Sequence, residues 1–181
     1  MASFGERVVG AMTLKASTFQ EIEHDQTAMG QAVGVIVLAA VSLGLGNLYW
    51  GGITGIITGI ITSLLAYGVW AVVVWLVGTK VMPDPATKAD LPETFRTIGF
   101  AASPGVLGII TIIPILGWLI LFGIYIWQIA AMVVAVREVL DYTDTIKAVI
   151  VVVIGFLAYL VVGVIMGMMF AGGAIMSGAL S

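Results

Sequence analysis

Long apolar runs separated by short charged segments dominate the chain, and within each run the apolar residues are continuous rather than alternating. Crossing the hydrocarbon of a bilayer takes roughly 20 apolar residues as helix, and five segments meet or approach that length. They run from about Thr27 to Leu48, from about Ile53 to Thr79, from about Ile98 to Pro114, from Gly117 to about Val136, and from about Ile146 to Phe170. The second has length to spare for tilt. The third is short and contains Pro104, so a re-entrant hairpin with the fourth is the alternative to a full crossing. Barrel strands would alternate with a period of two, which these runs do not. The pattern predicts an all-α integral membrane helical bundle of about five transmembrane helices, with residues 1–26 as an amphipathic tail, 27–170 as the bundle and 171–181 as a flexible tail.

Charge then orients the bundle. All seven Lys and Arg residues and all ten Asp and Glu residues fall in three segments on one side of the spans. The tail holds Arg7 and Lys15, the second connection holds Lys80, Lys88 and Arg96, and the fourth holds Arg137 and Lys147. By the positive-inside rule that side is cytoplasmic, which puts the N-terminus inside and the C-terminus outside; a re-entrant third segment would leave this orientation unchanged. A 61% apolar composition with 9% charged residues and a mean hydropathy of +1.17 is far from that of a soluble domain. The first apolar run leads into Asn47, Leu48, Tyr49 and Trp50 rather than a small-residue cleavage site, and reads as an uncleaved anchor. There is no cysteine, hence no disulfide, thiolate metal site or palmitoylation site.

In the tail, Phe4, Val8, Met12, Phe19 and Ile22 recur at helical spacing among polar residues, which predicts an amphipathic helix at the interface, packed on the bundle or docking a partner. Its two basic residues face four acidic ones, the wrong sign for clamping anionic lipid. Within the spans, Gly51, Gly55, Gly59 and Ser63 recur every four residues, as do Gly163, Gly167 and Ala171, and Gly30 with Gly34. Such faces let another helix backbone approach closely, in the same chain or in another.

Polar residues within the spans are Asn47, Thr54, Thr58, Thr62, Ser63, Ser103, Thr111 and Gln128. Hydroxyls can bond back to their own helix, whereas Asn47 and Gln128 act either as interhelical glue or as the polar point of a cavity. No ionisable residue lies at membrane depth, where proton relays, ion-coupled transport and intramembrane aspartyl proteolysis need one. His24 sits in the tail beside Glu23 and Asp25 and reads as solvated; Glu21 and Asp25 share a helical face and read as a hydrated acidic patch. With no phosphate-binding glycine loop, metal-ligand cluster or basic patch, the sequence predicts no enzyme, no cofactor, no catalytic or metal site and no nucleic-acid partner.

Three stretches carry a family pattern: Thr18-Phe19-Gln20-Glu21-Ile22-Glu23-His24-Asp25 before the first span, Thr94-Phe95-Arg96-Thr97-Ile98-Gly99-Phe100-Ala101-Ala102-Ser103-Pro104 entering the third, and Ile126-Trp127 leading to Val136-Arg137-Glu138-Val139-Leu140. Together they resemble the Yip family, small multi-span proteins named for interaction with Ypt-type GTPases. The resemblance covers about Thr18 to Gly163. It implies a cytoplasmic N-terminal segment before about five helices, and it singles out Phe95, Arg96, Gly99, Phe100, Pro104, Trp127, Arg137 and Glu138 as family-pattern positions. Eukaryotic members of the family bind prenylated Rab-type GTPases at Golgi and endoplasmic reticulum membranes. This chain's short tail makes it resemble the minimal prokaryotic members, and Rab binding does not carry over.

The leading expectation is a noncatalytic membrane scaffold or accessory subunit in a prokaryotic cytoplasmic (inner) membrane, with the lipid bilayer and other membrane proteins or itself as partners. The alternative is a permease or pore for a small neutral or apolar molecule along Asn47, Gln128 and the Thr row. A third class is membrane shaping by the tail and the short third span.

Overall fold

The computed structural model describes residues 2–46, 48–113 and 116–178, with the backbone alone for Tyr49, Trp50, Gly51, Tyr159 and residues 170–178. Asn47 and Pro114 lie outside the described residues, as do residues 179–181 of the expected C-terminal tail. The chain forms α1 (Phe4–Met12), α2 (Ala16–His24), α3 (Ala28–Gly46), α4 (Leu48–Leu76), α5 (Leu91–Phe100), α6 (Gly117–Val139) and α7 (Thr145–Gly178). A π-helical turn, Val77–Val81, extends α4, and a 3₁₀-helix, Ser103–Ile112, follows α5. No strand occurs among the described residues. Among the described residues, five stretches are long and apolar enough to cross a membrane: Ala28–Gly46, Gly52–Val81, Leu91–Ile112, Gly117–Val139 and Thr145–Met169. The protein is an all-α membrane-spanning bundle.

The second crossing starts at Gly52, whose φ of 56° and ψ of −166° break the first turn of α4 and suit only glycine. Helix α7 continues past Phe170 to Gly178, because the Ala, Gly, Ile and Met residues that follow include no proline to stop it.

The third segment departs most from expectation. It begins at Leu91 rather than near Ile98, started by a capping box: Glu93 N donates to Asp90 Oδ1 at 2.7 Å and Asp90 N donates to Glu93 Oε2 at 2.9 Å. Hydropathy misses this turn because it contains Thr94, Arg96 and Thr97. All three are nevertheless buried, and both hydroxyls donate to carbonyls one turn back.

Beyond Phe100 the chain tightens into the 3₁₀-helix, with Pro104 in its first turn. On a 3₁₀-helix, residues three apart share a face, and here Gly105, Gly108 and Thr111 face α3. A Cβ on Gly99 would lie 2.9 Å from Ala32 Cβ, one on Gly105 2.9 Å from Ala39 Cβ, and one on Gly108 2.9 Å from Leu43 Cα, while one on Gly46 would collide with Thr111 and the Gly108 carbonyl. These contacts advance in the same direction on both elements, so the third segment runs parallel to α3 as far as its distal end. Ten residues of α-helix and ten of 3₁₀-helix have a combined length of about 35 Å, enough to cross. This register overturns the re-entrant alternative.

At the charged end, Tyr142 Oη donates to the Met82 carbonyl at 2.7 Å, Thr87 Oγ1 to the Leu140 carbonyl at 2.6 Å, and Lys147 pairs with Asp84. These bonds tie the loop after α4 to the turn between α6 and α7. Around the outside, Ile57, Phe122 and Leu157 are exposed, as a bilayer allows.

Candidate functional site at the charged end

Helices α1 and α2 form a hairpin. Ser3 and Glu6 cap the start of α1 reciprocally, and Leu14 ends it at a φ of 59°, with Leu14 N donating to the Ala11 carbonyl and Lys15 N to the Gly10 carbonyl. A Cβ on Gly10 would collide with Thr18, so glycine there sets how closely α2 approaches.

Arg7, only 1% exposed, joins the hairpin to α3. Its Nη2 donates to Glu21 Oε1 at 2.9 Å and to Asp25 Oδ2 at 2.5 Å, and its Nη1 donates to Gln31 Oε1 at 3.1 Å. The Ala2 backbone N–H also donates to Glu21, at 2.8 Å. Glu21 and Asp25 are thus the paired acceptors for one buried guanidinium rather than a hydrated acidic patch. Their spacing of one turn on α2 was the sequence signal for a cation between them; nothing in the sequence located the cation fourteen residues upstream.

Four family-pattern residues hold this hairpin on the bundle. Arg96, 4% exposed, donates from Nη2 to the Glu23 carbonyl at 2.5 Å and from Nε to the Ile22 carbonyl at 3.4 Å. These are last-turn carbonyls of α2, where a cation meets the negative end of the helix dipole. Trp127 Nε1 donates to the Met12 carbonyl at 2.7 Å and so satisfies the corresponding end of α1. The Phe100 ring lies 6.4 Å from that of Phe4 in a tilted pair, and Glu138 Oε2 accepts from Gln20 Nε2 at 2.7 Å.

The other four act within the bundle. Gly99 allows α5 to approach Ala32, Pro104 is buried at the start of the 3₁₀-helix, Phe95 is half-buried against the core, and Arg137 pairs with its neighbour Glu138 at 2.7 Å.

Charge is distributed unevenly over the hairpin. Hydrogen bonds from Thr27 and Arg7 hold the Asp25 carboxyl down at about 2, and Arg7 likewise lowers Glu21. Glu23 behaves oppositely: burial raises its carboxyl to about 7, and Asp141, Glu93 and Glu138 add to the rise while His24 opposes it. His24 is exposed, and its ring is raised by its hydrogen bond to the Gln20 carbonyl and by Glu23.

The glycines expected as packing faces lie elsewhere. At Gly30, Gly34, Gly55, Gly59, Gly163 and Gly167 a Cβ would meet nothing within 4 Å, and Gly51 lies outside the residues whose surroundings are described. Thr58 Oγ1 donates to the Thr54 carbonyl of its own helix at 3.0 Å, and Gln128 Nε2 donates across helices to Tyr67 Oη at 3.2 Å. No group of three or more His, Cys, Asp or Glu able to hold a metal ion occurs among the described residues.

A family model described as the Yip1 domain matches residues 9–166. No curated protein and no solved structure matches the chain.

Proposed function

The chain belongs to the Yip family, and from that premise we propose that it is a noncatalytic membrane scaffold or accessory subunit that organises other membrane proteins. The observation that carries this reading is a division of labour among small residues. The chain's own close helix contact uses Ala32, Ala39 and Gly46 against Gly99, Gly105 and Gly108. Gly55 and Gly59 on α4, and Gly163 and Gly167 on α7, have open space beside them. Glycine inside a helix costs about 1 kcal/mol relative to alanine, and in a membrane that cost is offset where another backbone packs closely.

The charged end, with its docked hairpin, faces the cytoplasm by the positive-inside rule and offers a fixed polar surface to a partner there. In this reading the membrane is a prokaryotic cytoplasmic membrane. Exchange of Gly59 for Leu on the open face of α4 tests the proposal: the native complex or oligomer should dissociate while the isolated chain keeps its thermal stability. An unchanged assembly removes the argument from the open glycines. Flux of neutral solutes into liposomes above the protein-free rate would instead support the permease alternative.

A further inference from the structure

Midway through the bundle, α4, α6 and α7 surround a cavity of about 350 Å³, within the size range of small-molecule sites. Its depth follows from the spans: Gln128 is the middle residue of α6, and Tyr67 and Phe156 lie near the centres of Gly52–Val81 and Thr145–Met169. One wall is aromatic. Tyr67 stacks on Trp70 at 6.0 Å between ring centroids, and Trp70 meets Phe156 at 6.2 Å in a tilted pair. Gly155 makes room for this wall, since a Cβ there would collide with the Trp70 indole.

Two polar groups reach the cavity without a protein partner. Gln128 uses its Nε2 toward Tyr67 Oη and, at 3.4 Å, the Ala102 carbonyl. Neither its Oε1 nor the Tyr125 hydroxyl has a hydrogen-bond partner among the described residues. A carbonyl and a hydroxyl left unsatisfied at the depth of the hydrocarbon are unfavourable, because lipid chains offer no hydrogen bond.

We propose that this cavity binds an uncharged, membrane-dissolved molecule with a flat, oxygen-bearing ring, of the isoprenoid quinone class. Among the described residues, no Asp, Glu, Lys, Arg or His lines the cavity, so a charged ligand would meet no counter-charge there. Tyr125 and Ile129 at its margin are 48% and 40% exposed on the lipid-facing surface of α6, so the ligand enters from the bilayer. The aromatic wall suits a planar ring. The Tyr125 hydroxyl can donate to a ring carbonyl, and Gln128 Oε1 can accept from the hydroxyl of the reduced form. A saturated acyl chain offers neither group.

The test is a titration of the full chain in nanodiscs with decylubiquinone, following the part of tryptophan quenching that Trp70→Phe removes. Saturable quenching is expected. Tyr125→Phe should weaken it about tenfold, the loss of one hydrogen bond between neutral groups. Ile129→Phe narrows the opening from the lipid side and should weaken binding with no change in thermal unfolding, which keeps the test valid if Tyr125→Phe folds poorly. Dodecanol should not displace the probe. Quenching that rises linearly with probe concentration, full affinity in Ile129→Phe, or equal displacement by dodecanol would overturn the proposal.

Discussion

The indole N–H of Trp127, in the middle of α6, donates to the main-chain carbonyl of Met12 at 2.7 Å across a sequence separation of 115 residues. Arg96 does the equivalent for α2 through the carbonyls of Ile22 and Glu23. Two residues of the family pattern therefore terminate the two tail helices, and the tail is an integral part of the bundle.

Replacing Trp127 with Phe keeps most of the ring's packing and removes only the donor. The Met12 carbonyl is then unsatisfied, and docking of α1 should weaken by about 1 kcal/mol. Hydrogen exchange should speed up over α1 while the amides of α3 and α6 keep their protection. Equal exchange in α1 of the variant and the parent would show that the bond contributes nothing to docking.

Arg7 predicts a larger effect. Arg7→Met leaves Glu21 and Asp25 facing each other without their cation and the guanidinium's place beside Gln31 empty, which should loosen α1 from α2 and α3. Limited proteolysis should then cut between α1 and α2, at Leu14 or Lys15. Resistance equal to that of the parent would contradict the clamp.

The hairpin's pH dependence follows from Glu23. Its folded-state pKa of about 7 lies above the ordinary value of 4.5, so the docked state holds the proton more tightly than the undocked state. The stability linked to this proton is fully present below about pH 4.5 and is lost as pH rises through about 7. His24, also raised, acts in the same direction. Asp25 is lowered to about 2, and its contribution is lost only as pH falls below its ordinary value of 3.8. Exchange in α2 should therefore be faster at pH 8 than at pH 5.5 once corrected for intrinsic rates, and Glu23→Gln should remove most of that difference. A difference that persists unchanged in Glu23→Gln would assign it elsewhere.

Two sets of glycines should respond oppositely to alanine. At Gly46 an added Cβ collides with the Gly108 carbonyl, a backbone atom that cannot swing away, and at Gly108 it meets the Leu43 backbone. Either change should cost about 1–3 kcal/mol by overpacking. At Gly59 or Gly163, with nothing within 4 Å, alanine should leave the isolated chain's thermal midpoint unchanged or slightly raised. Similar losses in both sets would contradict the register of α3 with the third segment.

Much of this architecture was legible from residue pattern. Continuous apolar runs with charges confined to their ends placed the crossings, whereas hydrophobic spacing in the tail predicts one amphipathic helix and the chain forms two, α1 and α2, broken at Leu14. The contact between α3 and the third segment was not legible, because on an α-helix a close-packing face of small residues repeats every four positions. Gly105, Gly108 and Thr111 repeat every three, the period of the 3₁₀-helix that Pro104 helps to start. The start of α5 was missed because Thr94, Arg96 and Thr97 lower its hydropathy, although their polar atoms are satisfied by nearby backbone carbonyls. Arg7 shared this fate, since its partners lie on α2 and α3 and only the folded hairpin brings them together.

The most direct test of the account is the mass and composition of the particle extracted from its native membrane in mild detergent, for the parent chain and for Gly59→Leu. The account predicts a defined complex containing further membrane proteins, or further copies of the chain, at fixed ratio, which falls apart in the variant. A lone monomer of 18.9 kDa protein mass in both preparations would contradict the scaffold reading.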